Sequence, residues 1–98
     1  MSNQFNLLTN AGAGATGTAM QLATDDVFLK VTATTWGGES VKIQEQAADG
    51  SWSDIPGAVF TANDAKVYQG YRNQIIRPVT TGSTGMAGVN VSAGQRYD

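Results

Sequence analysis

Asp26-Val27-Phe28-Leu29-Lys30-Val31-Thr32-Ala33-Thr34-Thr35-Trp36-Gly37-Gly38-Glu39-Ser40-Val41-Lys42-Ile43-Gln44-Glu45 is the stretch that decides the fold. Val27, Leu29, Val31 and Ala33 alternate with Phe28, Lys30, Thr32 and Thr34. Such a period of two lines one face of a strand and leaves the other to solvent. Trp36-Gly37-Gly38-Glu39 then reverses the chain and reads as a hairpin turn. A second alternating run follows at Val41, Lys42, Ile43 and Gln44. The β-branched content supports strands on both sides of the turn.

The same pattern continues outward. Val89 and Val91 alternate with Gly88, Asn90 and Ser92. Asp49-Gly50 favours the positive φ values of a type I′ turn. Pro56-Gly57 reads as another tight reversal, and Gly82-Ser83-Thr84-Gly85 joins the run ending near Thr81 to that beginning at Met86. No window carries a sustained helical apolar stripe; the best helix candidate, Thr61 to Lys66, is one turn at most. Strands are expected near 4–9, 18–22, 26–35, 40–47, 51–55, 58–60, 66–70, 73–81 and 86–93. So many short strands in 98 residues imply an all-β fold, a small antiparallel β-sandwich or jelly-roll-like barrel.

Residues 10–17, Asn-Ala-Gly-Ala-Gly-Ala-Thr-Gly, form the one low-complexity stretch. Small side chains offset backbone entropy poorly. Two readings follow: residues 1–17 are a flexible N-terminal arm and linker ahead of a β-domain over 18–98, or they are a first strand and a long loop. Pro78 interrupts an otherwise good strand, and proline cannot donate to a ladder. That strand is expected at an edge or bulged, with a partner as one way to cover it.

Composition excludes several chemistries. The chain has no His and no Cys, which removes the Ser-His-Asp triad, the Cys nucleophile and His- or Cys-based zinc sites. Asp25 and Asp26 are adjacent and point to opposite faces of a strand. Gly12-x-Gly14-x-x-Gly17 matches the spacing of a dinucleotide-binding loop, but no helix follows to face a pyrophosphate. Asp49-Gly50-Ser51-Trp52-Ser53-Asp54 lacks the closing Glu and carboxylate density of a calcium loop. The expectation is no enzyme activity, no catalytic residues, no metal and no cofactor.

Net charge is −2 and only 14% of residues are charged, against about 25% for an average domain. Phosphate neutralisation needs a basic field, so no nucleic-acid partner is expected. No apolar run reaches the ~18 residues of a membrane span, and the start shows no signal peptide; synthesis in a cytoplasm is the simplest expectation. Candidate partner-binding residues are Phe5, Leu7 and Leu8 on the arm and Pro78 on the suspect edge. Arg72 and Arg77 flank Ile75-Ile76 and would pair with a carboxylate across an interface or be solvated. Trp36, Trp52, Tyr68 and Tyr71 form either a ligand platform or the rim of the core.

A family pattern can now be placed on these residues. Val41-Lys42-Ile43-Gln44-Glu45, then Asp49-Gly50-Ser51-Trp52-Ser53-Asp54-Ile55-Pro56-Gly57-Ala58, then Phe60-Thr61-Ala62 resembles the strand, D-G-x-W, turn, G-A-x-F-T segment of small β-rich bacteriophage virion proteins. Ile76-Arg77-Pro78-Val79-Thr80-Thr81-Gly82-Ser83-Thr84-Gly85 is similar to the hairpin that follows it there. The resemblance spans about residues 27–92 and is greatest to head decoration (cement) proteins. It implies a structural virion protein on the capsid exterior, binding the major capsid protein, as a homotrimer, and stabilising the shell. The alternative it carries is a carbohydrate- or receptor-binding module of a tail or fibre.

Overall fold

Alternating residues become the two faces of a strand only when a neighbouring strand fixes the pleat. The structure, a computed structural model, describes residues 2–96, with side chains from 4 to 95. Its strands are β1 (Ser2–Ala11), β2 (Met20–Gln21), β3 (Asp26–Thr32), β4 (Val41–Gln46), β5 (Trp52–Phe60), β6 (Asp64–Gln69), β7 (Ile75–Thr80) and β8 (Val89–Arg96). They form two antiparallel sheets, in the orders β1-β8-β3-β6 and β2-β7-β4-β5. The all-β expectation holds, as a sandwich of two sheets.

The core lies where the periodicity put it. Val27, Leu29 and Val31 of β3 and Val89, Val91 and Ala93 of β8 pack against Val41 and Ile43 of β4, Ile55 and Phe60 of β5 and Ile76 of β7. Full burial of each Val, Leu or Ile side chain contributes about 1.5–3 kcal/mol. Three buried polar residues are satisfied. Thr80 Oγ1 accepts from Ala15 N and donates to Gly12 O, both at 2.7 Å. Gln95 accepts from Ala23 N at 3.2 Å, and Gln74 is described with the sites below.

Several expectations are corrected. The segment expected as a flexible arm is β1, paired with β8 from Ser2↔Arg96 to Ala11↔Val89. The alternative reading, a first strand and a long loop, describes it. Leu7 is only 3% exposed, so β1 brings its own side chain to the core. Residues 12–19 are the loop that carries the chain to β2. Met1, at the start of the expected arm, and Tyr97 and Asp98, at the end of the expected body, lie outside the described residues.

Pro78 is not on an edge strand. β7 lies between β4 and β2, and Pro78 is fully buried opposite Ile43. Pro78 O accepts from Gly17 N, and Thr80 N donates to Ala15 O, so even-numbered residues of β7 turn their backbone groups towards the β2 side. The missing N–H of Pro78 therefore faces the gap between Gly17 and Met20. There the neighbouring chain leaves the ladder, and Thr18 N bonds Leu7 O instead at 2.8 Å.

The turns are where expected but connect differently. Trp36–Glu39 closes with Glu39 N donating to Trp36 O at 3.0 Å, with Gly37 and Gly38 at positive φ. It joins β3 in one sheet to β4 in the other, so it is no hairpin; the Gly82–Gly85 connection from β7 to β8 also crosses between sheets. Pro56-Gly57 is not a reversal. β5 runs through it, and residues 55–58 bulge opposite Ile43 while Lys42 pairs with Val59 and Gln44 with Asp54. The true hairpin is β4–β5. Its turn spans Ala47–Gly50, with Gly50 N donating to Ala47 O and only Gly50 at positive φ. That is a type I turn closed by a left-handed Gly rather than type I′. The candidate helical turn at 61–66 is a bend over residues 61–63 followed by the first residues of β6.

Candidate interaction surfaces

The outer face of the β2-β7-β4-β5 sheet carries a pre-bonded polar and aromatic patch. Strand alternation puts Lys42, Gln44 and Gln46 of β4 outward, because Val41 and Ile43 point in. Their cross-strand neighbours Trp52 and Asp54 of β5 and Arg77 of β7 share that face. Arg77 Nε donates to Gln44 Oε1 at 3.0 Å, and Gln44 Nε2 donates to Asp54 Oδ1 at 3.0 Å. Lys42 Nζ lies 3.3 Å from Asp54 Oδ2. The hydrogen bond from Gln44, then that from Lys42, hold the Asp54 carboxyl below its ordinary value. Arg77 also reaches across β4, its guanidinium 4.1 Å from the centre of the Trp52 ring. The polar groups of the patch are thus bonded to one another within the free chain.

A second polar assembly sits at the end of the sandwich bearing the β4–β5 turn. Buried Gln74 accepts from Tyr68 Oη at 3.2 Å and donates to Glu45 Oε2 at 2.8 Å. Tyr71 Oη donates to the same Glu45 oxygen at 3.3 Å. Partial desolvation, then the Glu45 carboxylate, push the Tyr71 hydroxyl up from its ordinary value. Tyr71 stays 56% exposed on an open groove of about 410 Å³ lined by Gln46, Ala48, Tyr71, Asn73 and Gln74. On the outer face of the other sheet, Phe28 and Val67 are cross-strand partners, 49% and 63% exposed.

The residues expected to bind a partner do not form one cluster. Leu7, Leu8 and Pro78 converge around Gly17, with Leu7 and Pro78 inside the protein and Leu8 half-buried. Phe5 is partly exposed at the edge of β1. Arg72 is exposed in the β6–β7 turn, whereas Arg77 belongs to the Trp52 patch. The four aromatics do not form a platform either. Trp36, at the other end of β4 from Trp52, packs on the core and donates from Nε1 to Asn63 Oδ1 at 2.9 Å. Gln44, Asp54, Lys42, Phe28 and Val67 were not anticipated. Phe28 had a signal: it is the aromatic on the polar phase of an alternating strand.

Among the described residues no group of three or more His, Cys, Asp or Glu could hold a metal ion. The Asp49 carboxylate is occupied locally, accepting from Ser51 Oγ at 2.7 Å and Ser51 N at 2.9 Å.

No known protein family and no curated protein sequence matches the chain. Among solved structures it is similar to the SPBc2 prophage-derived protein YomS, at 11% identity and a TM-score of 0.73, over 96% of this chain and 91% of that one. At that identity, what the two share is the fold, along nearly the whole of both chains.

Proposed function

We propose that this chain is a structural protein of a bacteriophage particle that acts by binding, without catalysis, and that it occupies the outside of the capsid. The observation that carries the reading is the pre-bonded patch of Trp52, Arg77, Gln44 and Asp54. Trp and Arg, here stacked on the outer face of a sheet, are residue types enriched among those that dominate protein–protein contact energies. The fold shared with a prophage-derived protein and the resemblance to decoration proteins supply the phage setting, and the major capsid protein is the partner. Gold-labelled antibody against the chain should decorate the heads of intact particles from the encoding phage. Labelling confined to tails, or none, would sink the capsid assignment.

A second reading is a carbohydrate- or receptor-binding module of a tail or fibre. The exposed Tyr71 ring beside a polar groove favours it. Titration with host surface polysaccharide should then shift the Tyr71 ring resonances, and unchanged resonances at saturating polysaccharide would remove this reading.

A further inference from the structure

Each sheet has two edges, and three of the four are blunted. β2 is two residues long. β5 carries Asp54, Pro56 and the bulge at 55–58. β6 carries Asp64 and Lys66, and Lys66 Nζ lies 4.8 Å from the Phe60 ring centre in the other sheet. Prolines, bulges and inward-directed lysines are the devices that stop an edge from pairing with another chain. β1, Ser2–Ala11, has no charged residue and no proline, and its two register irregularities lie beyond Asn6, which leaves Ser2–Asn6 regular.

The direction of the β1 backbone groups follows from the ladder. Asp25 O accepts from Gly70 N at 2.7 Å, so odd residues of β3 turn their groups to β6 and even ones to β8. Gly94, opposite Phe28, thus faces β3, while Ala93 and Gln95 face β1. Their partners Phe5 and Asn3 are committed to β8. The N–H and C=O groups of Ser2, Gln4 and Asn6 point outward, and among the described residues none pairs with them. At Leu7 the edge closes, because Thr18 N takes its carbonyl.

We infer that this open edge, Ser2–Asn6, pairs antiparallel with the same segment of a second copy about a twofold axis at Gln4. The stretch is self-complementary about that residue. Gln4 meets Gln4, Ser2 meets Asn6 of the second copy, and each outward residue both donates and accepts, as antiparallel pairing requires. The two Phe5 side chains, each 37% exposed, become diagonal neighbours at roughly 7–8 Å, within reach of aromatic contact. The pairing joins two four-stranded sheets into one. An edge this short buries less than the roughly 1,200 Å² of a stable interface, so the dimer has a Kd in about the micromolar-to-millimolar range. The inference does not depend on where in the particle the chain sits, and it departs from the homotrimer that the resemblance implies.

Sedimentation equilibrium up to roughly 1 mM protein tests it. The expected result is a mass rising with concentration from 10.2 kDa towards twice that value. Gln4→Pro removes an outward N–H and no bond to β8, so it should stay monomeric with an unchanged melting midpoint. Should Gln4→Pro not fold, amide exchange of the unmodified chain decides. Gln4 and Asn6 N–H should slow between dilute and concentrated samples in proportion to the fall in the monomer fraction, with Phe5 protected in both. A mass fixed at that of one chain, a trimer as the decoration-protein resemblance implies, or exchange at Gln4 independent of concentration would each overturn the pairing.

Discussion

Gly17 donates its backbone N–H to the carbonyl of Pro78 at 2.8 Å. The bond lies beside the place where β7 has no donor to offer, and it explains how a proline can be interior to a sheet. The neighbouring chain pairs as far as Gly17, leaves the ladder, and rejoins it at Met20. Gly17 is needed for this approach. A Cβ there would lie 2.5 Å from Leu7 O and 2.6 Å from Pro78 Cγ, and a backbone oxygen cannot swing aside. Gly17→Ala should cost about 1–3 kcal/mol in urea unfolding, with the denaturant slope unchanged. A loss below about 0.5 kcal/mol, the usual range for surface changes, would contradict this account of the junction.

Gln74 is buried, with its amide shared between Tyr68 and Glu45. Gln74→Glu would place a second carboxylate against Glu45. Burial and the like charge raise the folded-state pKa of the introduced carboxyl above its unfolded value, about 4.3 for Glu. The stability deficit should thus be small below that pH and open as pH rises through it. At neutral pH the variant should melt roughly 5 °C or more below the parent. Equal melting at acid and neutral pH would show that the amide is not confined as described.

Asp54 runs the opposite way. Its folded-state pKa is below the ordinary 3.8, first through Gln44 and then through Lys42. Its contribution is therefore present above 3.8 and is lost as pH falls through the lower folded value. The stability difference between the parent and Asp54→Asn should be constant near neutral pH and shrink in acid. A difference that does not change between neutral pH and roughly pH 2 would remove the carboxylate from the patch.

Trp52 can be followed directly in a Trp36→Phe background, where it is the remaining tryptophan. Arg77 covers one face of its ring at 4.1 Å. Arg77→Ala should shift Trp52 emission to the red and increase its quenching by acrylamide, a neutral quencher. The stability cost should be about 0.5–1 kcal/mol, the range for a partly exposed cation–π contact. Unchanged emission would mean that the ring and guanidinium are not stacked in solution.

The strands and the core were legible because alternation is a local signal. Val27, Leu29, Val31, Val41, Ile43, Val89 and Val91 all point inward as their spacing required. The sheet to which each strand belongs was not legible. Trp36-Gly37-Gly38-Glu39 encodes a reversal, but a reversal serves equally to pair two strands or to pass from one sheet to the other. β1 was legible as a strand near 4–9 but its place beside β8 was not, because irregularities in its register between Asn6 and Leu8 and between Leu8 and Ala11 break the alternation. The Trp52–Arg77 contact depends on the order β7-β4-β5; nothing near either residue announces the other. Pro78 misled for the same reason, since the gap that accommodates it belongs to residues 17–20, far away in sequence.

The central claim, that the chain acts by binding a capsid surface through the Trp52 patch, is tested most directly by co-sedimentation with heads that lack it. The parent chain should saturate the heads at a fixed ratio to the major capsid protein. Trp52→Ala and Arg77→Ala, each shown to be folded, should bind at least about tenfold more weakly, the 1.4 kcal/mol loss expected at a contact of this kind. Equal binding by the parent and both variants, or no binding by the parent, would contradict the account.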